Sequence, residues 1–285
     1  MTECVFNSCD RLDWMRDVSR FRGECIGKTK EVLLVFGGTV KKESLSPEMI
    51  VSLACLVEEF ARNGITVKIN RATEAGEQLF SKHQLREYWD GGKNYAAAQD
   101  DRILNLQRIN EAEKDLYGIR VSEFLKRRYF KSKDMTPVST SITEAYYNIF
   151  DHAEANGNAF SMLSLDVEKA ELKVAVCDFG VGIAKTVRDY LGEEISDVDA
   201  IHRAMEDRFT VKSSSHTGGF GLRNILNCCT DRDVLWIVSN RGAIAANAFA
   251  EHCMSLDFDF RGTLLFYKMS LSHFEDEEVL DDFNW

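Results

Sequence analysis

The sequence predicts an α/β protein made of two units. The chain has 285 residues, which exceeds the roughly 100–200 residues of one typical domain. Apolar residues make up 45% and charged residues 28%, with only two prolines, as in a folded rather than a disordered chain. Strand-like apolar runs and helical apolar periodicity occur over residues 31–69 and again after residue 135. We therefore expect a small N-terminal α/β unit and a larger C-terminal one.

The N-terminal unit contains a strand, a helix and a second strand. Glu31–Phe36 is an apolar run that Gly37-Gly38 ends, and Ile65–Ile69 is another such run. Between them, Pro47 suits a first helical turn and Asn63-Gly64 suits a helix end. The apolar stripe of this helix consists of Ile50, Leu53, Ala54, Leu56, Val57 and Phe60. Such a βαβ unit predicts parallel strands joined by a right-handed crossover.

The pattern along the rest of the chain sets the expected boundaries. Residues 73–90 look helical, 91–98 are small and suit a linker, and 100–130 look helical again. Residues 136–141 then interrupt the helical pattern. We expect a small α/β domain at 1–98, a helical connector at 99–134, a second domain at 135–272 and an acidic tail at 273–285. The tail is either solvated or a docking peptide for a basic partner.

Composition argues against several partners. The net charge is −11, and no run of Lys and Arg is interleaved with aromatic residues, so we expect no nucleic-acid partner. No stretch approaches the roughly 18 apolar residues of a membrane span, so we expect no membrane partner. The eight cysteines form no CxxC pair, which favours a reducing, cytoplasmic location.

The first chemical motif lies on a predicted helix, Ser141–Ala153. At about 100° per residue, Asn148 and Asp151 fall within about 40° of Glu144, so three polar side chains share one face. A carboxylate can polarise a water molecule, and an amide oxygen is a hard ligand that suits magnesium. The alternative is a capping box between the first residue of this helix and Glu144, with Asn148 at the surface.

Two glycine-rich turns follow. The strand Lys173–Cys177 runs directly into Asp178-Phe-Gly180-Val-Gly182-Ile183, where glycines let the backbone approach a ligand and the carboxylate can accept a hydrogen bond from an amino group. Further on, Gly218-Gly219-Phe220-Gly221-Leu222 precedes helical apolar spacing, and N–H groups at a helix start favour phosphate. Taken singly, these motifs are also explained by an ordinary strand-to-helix turn and by a mobile loop with a helix cap.

The order of the three motifs is more specific than any one of them. ExxxN on a helix, DxGxGI after a strand and GGFGL before a helix follow one another between Glu144 and Leu222. This order resembles the Bergerat-fold, or GHKL, ATPase superfamily, which includes gyrase B, MutL and sensor histidine kinases. The resemblance implies ATP and Mg²⁺ as cofactors. It also implies an α/β sandwich, with helices on one face of a mixed sheet.

The resemblance assigns roles to single residues. Glu144 matches the catalytic base that orients the attacking water, and Asn148 matches the magnesium ligand. Asp178 matches the aspartate that binds the adenine amino group, and Thr263 matches the closing Gly-Thr beside the adenine pocket. The other expected ATP contacts are Asp151, His152, Gly180, Gly182, Ile183, Lys212, Gly218, Gly219, Phe220, Gly221 and Leu222.

Residues 184–217 would then form a lid that closes over the nucleotide. Within it, Lys212 either reaches a phosphate as a point charge or lies at the surface. His152 either helps to hold the magnesium-phosphate region or is a partly buried structural histidine.

Three functions remain open at this point. The first is an ATPase or ATP-gated switch that acts on a protein partner or in a homodimer. The second is a protein serine kinase of the anti-sigma-factor type, and the third is a nucleotide-binding module without turnover. The kinase alternative draws on the N-terminal strand, helix and strand, which resemble a STAS domain. Ser44 and Ser46 fall near the place where that family accepts phosphate. A generic small α/β domain explains the same pattern.

Overall fold

The computed structural model of the chain describes residues 1–79, 103–108, 114–128, 130–148, 154–155, 157–206, 221–227 and 229–273. Within these ranges the strands form a three-stranded and a five-stranded sheet. Helices accompany both sheets, so the predicted α/β class is confirmed. None of the described helices is long and apolar enough to cross a membrane.

The N-terminal sheet is parallel, with its strands in the order β1-β2-β3. Its strands are β1 (Thr2–Phe6), β2 (Glu31–Phe36) and β3 (Thr66–Ile69), and its helices are α1 (Arg11–Cys25), α2 (Pro47–Arg62) and the short α3 (Glu74–Glu77). The predicted unit β2-α2-β3 is confirmed, with Pro47 in the first turn of α2. The structure adds β1 and α1, which repeat the same parallel arrangement at the other edge of β2.

The C-terminal sheet has the strand order β4-β5-β6-β8-β7. Its strands are β4 (Ile103–Arg108), β5 (Ala159–Asp166), β6 (Glu171–Asp178), β7 (Val234–Ala246) and β8 (Glu251–Ser270). Every pairing in it among the described residues is antiparallel, whereas the family resemblance implied a mixed sheet. The short connections from β5 to β6 and from β7 to β8 account for two of these pairings, because a tight turn can join only antiparallel neighbours.

Helices cover both faces of the C-terminal sheet. One face packs against α4 (Lys114–Arg128), α5 (Thr136–Asn148) and α8 (Gly221–Asn227), as the expected sandwich requires. The other face packs against α1 and α2, and the residues between them form a hydrophobic core shared with the N-terminal sheet. Helix α2 therefore lies between two sheets.

Two local expectations are wrong. The sequence predicts a helical connector, but residues 103–108 form β4, an edge strand paired with β5, and α4 is the helix among the connector's described residues. Residues 136–141 were expected to interrupt the pattern, but α5 begins at Thr136, whose N–H donates to Asp134 Oδ1 at 2.9 Å. Proline is compatible with this first turn because its missing N–H would have no helical partner there.

The position of α5 also excludes the capping-box alternative. Ser141 lies in the interior of the helix, where its hydroxyl donates to the carbonyl oxygen of Pro137 at 2.8 Å. The Ser141 hydroxyl therefore makes a bond to the preceding helical turn and does not cap a helix start.

The first half of the expected lid is a packed structure. Residues 183–206 contain α6 (Ile183–Leu191) and α7 (Asp197–Ala204), which pack against each other. Helix α7 contacts β7, and the Arg241 N–H donates to Asp197 Oδ2 at 2.8 Å. Residues 207–217 of the expected lid lie outside the described residues.

Candidate functional site

Three polar side chains form a row across the C-terminal sheet. Asp178 ends β6 and pairs with Thr263 on β8, which pairs in turn with Ser239 on β7. Side chains alternate along a strand, so Asp178 points to the same face as Val176, which packs against α5 and α8. On the other side of Asp178, the row continues with Ala159 of β5, which has a small side chain.

Asp178 is a buried carboxyl group that accepts hydrogen bonds from backbone N–H groups. Its exposed fraction is 1%, and its Oδ1 accepts a hydrogen bond from the Gly180 N–H at 2.8 Å. Burial raises the pKa of Asp178 from 3.8 to about 7, against the opposing effect of the Gly180 and Thr263 backbone N–H groups. A ligand that donates a hydrogen bond to this carboxylate would offset part of the cost of its burial.

The turn after Asp178 is fixed by Ser239. The Ser239 hydroxyl accepts from the Ile183 N–H at 2.8 Å and donates to the Gly262 carbonyl oxygen at 2.8 Å. This one side chain therefore connects the first residue of α6 to β8. Gly182, just before the helix, has φ +83°, and a Cβ there would lie 2.8 Å from Ser239 Oγ and closer still to Asn240 Oδ1.

Gly262 allows β8 to approach the same turn. Its φ is +83°, and a Cβ would lie 2.8 Å from the Gly180 amide nitrogen and closer still to the Asp178 carbonyl oxygen. A side chain at this position would therefore displace the backbone that carries Asp178. The Gly-Thr pair predicted beside the adenine pocket thus lies against Asp178, within β8.

Helices α5 and α8 contact each other on the face of the sheet to which Asp178 points. Glu144 is half-buried on α5, and Asn148 is the last residue of that helix, although the structure does not describe the Asn148 side chain. Helix α8 begins at Gly221, and Leu222 is buried in the core that also contains Ile142 of α5. The structure thus places Glu144 of the first motif and Gly221-Leu222 of the third on adjacent helices.

The remaining expected contacts divide into two groups. One group lies around the end of β6 and the part of β8 beside it, and consists of Gly180, Gly182, Ile183 and Thr263, next to Asp178. The residues that lie outside the described ranges are Asp151, His152, Lys212, Gly218, Gly219 and Phe220.

Sequence reasoning missed the contribution of β7. Val234–Val238 is an apolar run that ends in Ser239-Asn240, just as Lys173–Cys177 ends in Asp178. This shared pattern of an apolar run followed by polar residues was the available signal, although β7 continues past it to Ala246. The pairing of β7 with β8, which brings Ser239 to the row, depends on long-range contacts that no local pattern encodes.

Comparison with known proteins adds no assignment. No family model matches this chain, and no curated protein matches it.

Proposed function

We propose that this protein binds ATP, with the adenine base against the row formed by Asp178, Thr263 and Ser239. The observation that carries the proposal is the buried Asp178 carboxyl group, which ends a strand beside a glycine turn and beside the small side chain of Ala159. Three motifs that resemble those of the Bergerat-fold ATPases support the same assignment.

The chemistry of Asp178 favours adenine over hypoxanthine. The exocyclic amino group of adenine donates hydrogen bonds, and a carboxylate is the acceptor that makes the stronger, charge-assisted bond. Hypoxanthine carries an oxygen atom at the same position, so its oxygen would face the ionised carboxylate. Above the pKa of Asp178, near 7, this difference disfavours inosine nucleotides.

The phosphates of ATP would lie towards helices α5 and α8. Glu144 on α5 and the start of α8 at Gly221 belong to adjacent helices, and backbone N–H groups at a helix start favour an anion. In this arrangement Asn148 would hold magnesium, which would offset the phosphate charge, and Glu144 would act as a base.

Calorimetric titration with ATP and with inosine triphosphate, in magnesium at about pH 8, tests the base-binding part. We expect the wild-type protein to bind ATP at least about tenfold more tightly than inosine triphosphate, because a carboxylate accepts only from the amino group. Asp178→Asn should lose ATP binding, and with it this preference. Wild-type protein that binds both nucleotides equally, or neither, would contradict the proposal.

The fate of the γ-phosphate separates the possible activities. We expect γ-labelled ATP to yield free phosphate with the wild-type protein and not with Glu144→Gln, which keeps the side-chain size and removes the base. If ATP binds but the label stays on ATP in both proteins, the protein is a nucleotide-binding module without turnover.

A serine kinase is the second candidate, and one observation favours it. Ser44 is exposed on the 3-10 turn Lys42–Ser44, and Ser46 precedes α2 without a side-chain hydrogen bond to the helix start. Ser46 thus lies where a phosphoryl group would meet the N–H groups at the start of α2, and Ser44 lies two residues before it. Label retained on the protein, and lost on Ser44→Ala or Ser46→Ala substitution, would establish this activity in place of hydrolysis.

A further inference from the structure

Helix α2 of the N-terminal unit contacts the backbone on both sides of Asp178. It packs against β5 and β6 on the face of the sheet opposite to the side chain of Asp178. The Cys55 thiol on α2 donates to the carbonyl oxygen of Cys177 at 3.5 Å. Cys177 immediately precedes Asp178, so this contact fixes one side of the candidate base-binding residue.

Asn158 connects α2 to the other side. Its carbonyl oxygen accepts the Phe179 N–H at 3.0 Å, which extends the β5–β6 pairing one residue past Asp178. Its side-chain Nδ2 donates to the carbonyl oxygen of Cys55 at 3.2 Å and lies 3.5 Å from Glu59 Oε2. One buried residue therefore joins the helix to the turn that follows Asp178.

The Asn158 amide is specialised for this connection. The residue is 1% exposed, and its Oδ1 has no hydrogen-bond partner in the part of the chain that the structure describes. Among the described residues, its side-chain hydrogen bonds are thus donations to α2. Next to it, Arg108 donates to the Gly157 carbonyl oxygen at 3.2 Å and pairs with Glu58 of α2 at 2.6 Å. These contacts hold the start of β5 against the same helix.

We infer that Asn158 is a positioning residue that couples helix α2 to Asp178, so that the N-terminal unit controls how well the pocket discriminates adenine. The link to adenine rests on the proposed function, whereas the link between α2 and the turn does not. Because such coupling is reciprocal, a ligand in the pocket also stabilises the contact of α2 with the sheet.

Two measurements on Asn158→Ala test the inference. The first is the ratio of ATP to inosine triphosphate affinity at about pH 8. Removal of one buried hydrogen bond should weaken ATP binding about three- to tenfold and inosine triphosphate binding less, so the ratio falls. A merely structural role would lower the folded fraction and weaken both nucleotides equally.

The second measurement is hydrogen exchange of the nucleotide-free protein. We expect faster exchange of the amides at 179–183 in Asn158→Ala, with no change in α4, which packs on the opposite face of the sheet. The control is Asn63→Ala. Asn63 is exposed at the end of α2, and its side-chain amide also donates to a carbonyl oxygen of that helix, the one of Glu59, at 2.8 Å. This substitution should leave both readouts unchanged.

The outcomes separate the inference from the proposed function. Unchanged exchange at 179–183 in folded Asn158→Ala overturns the coupling, whether or not ATP binds. Faster local exchange in a protein that binds no ATP supports the coupling and overturns the proposed function. If Asn158→Ala does not fold, Cys55→Ala, which removes the thiol contact to Cys177, takes its place with the same expected readouts.

Discussion

The substitution Asp178→Asn should make the protein more stable while it removes nucleotide binding. Asparagine has nearly the shape of aspartate, and its amide oxygen can still accept the Gly180 N–H. It carries no charge, so it avoids the cost of placing an ionised carboxylate in a buried site. It also lacks the second acceptor oxygen that an adenine amino group would need.

The magnitude follows from the pKa of Asp178. Burial raises this pKa from 3.8 to about 7, and one pKa unit corresponds to about 1.4 kcal/mol, so the ionised group costs on the order of 4 kcal/mol. Between these two values the folded state binds the proton more tightly than the unfolded chain does. The free energy of unfolding of the wild-type protein therefore falls as the pH rises from 3.8 to about 7. Above about pH 7, Asp178 causes no further decrease.

Urea unfolding of both proteins across the pH range tests this reasoning. The difference in unfolding free energy should favour Asp178→Asn by about 2 kcal/mol more at pH 8.5 than at pH 5.5. Added Mg-ATP should stabilise only the wild-type protein, by about 2.7 kcal/mol at a hundredfold excess over Kd. A difference that does not change with pH would refute the raised pKa. A variant that ATP stabilises as much as wild type would refute the role of Asp178 in binding.

Two further predictions concern stability alone. Gly262→Ala should lower the free energy of unfolding in urea by about 2–5 kcal/mol, because a side chain there strains a left-handed backbone and clashes with the backbone of Asp178. Gly192→Ala should lower it by about 1–2 kcal/mol, because Gly192 has a left-handed φ of +68° but no atom close to the added Cβ. Equal losses would contradict the clash. Arg11→Ala should lower the free energy of unfolding by about 3–5 kcal/mol, because it leaves the fully buried Glu48, 2.6 Å from Arg11, without its ion pair. Arg127→Ala removes an exposed ion pair with Glu123 and should lower it by less than about 1 kcal/mol. Similar losses in the two arginine variants would show that Glu48 does not depend on Arg11.

Elements set by local sequence were predictable. The unit β2-α2-β3 has turn residues at each end and apolar runs of suitable length, and the structure confirms all three elements. The strand that ends at Asp178 and the helix that begins at Ile183 follow in the same way from an apolar run and a glycine turn. These elements need no distant partner to be recognised.

Elements that depend on distant partners were missed. The strand β4 lies in a segment that looked helical, and its identity depends on pairing with β5, some fifty positions later in the chain. Helix α5 begins at Thr136, whose N–H donates to Asp134, although the following proline suggested an interruption. Ser239 gains its role only when β7 pairs with β8, and Asn158 gains its role only when α2 packs against β5 and β6.

Helix α2 shows that the sequence did contain a sign of this long-range packing. Its apolar residues extend around most of the helix, and the structure buries consecutive positions from Pro47 to Val57. A helix that is apolar all round has no face for solvent and must contact structure on more than one side. Because α2 lies between the two sheets, the units predicted as separate domains share one core. A change in α2 therefore acts on the N-terminal sheet and, through Cys55 and Asn158, on the backbone that positions Asp178.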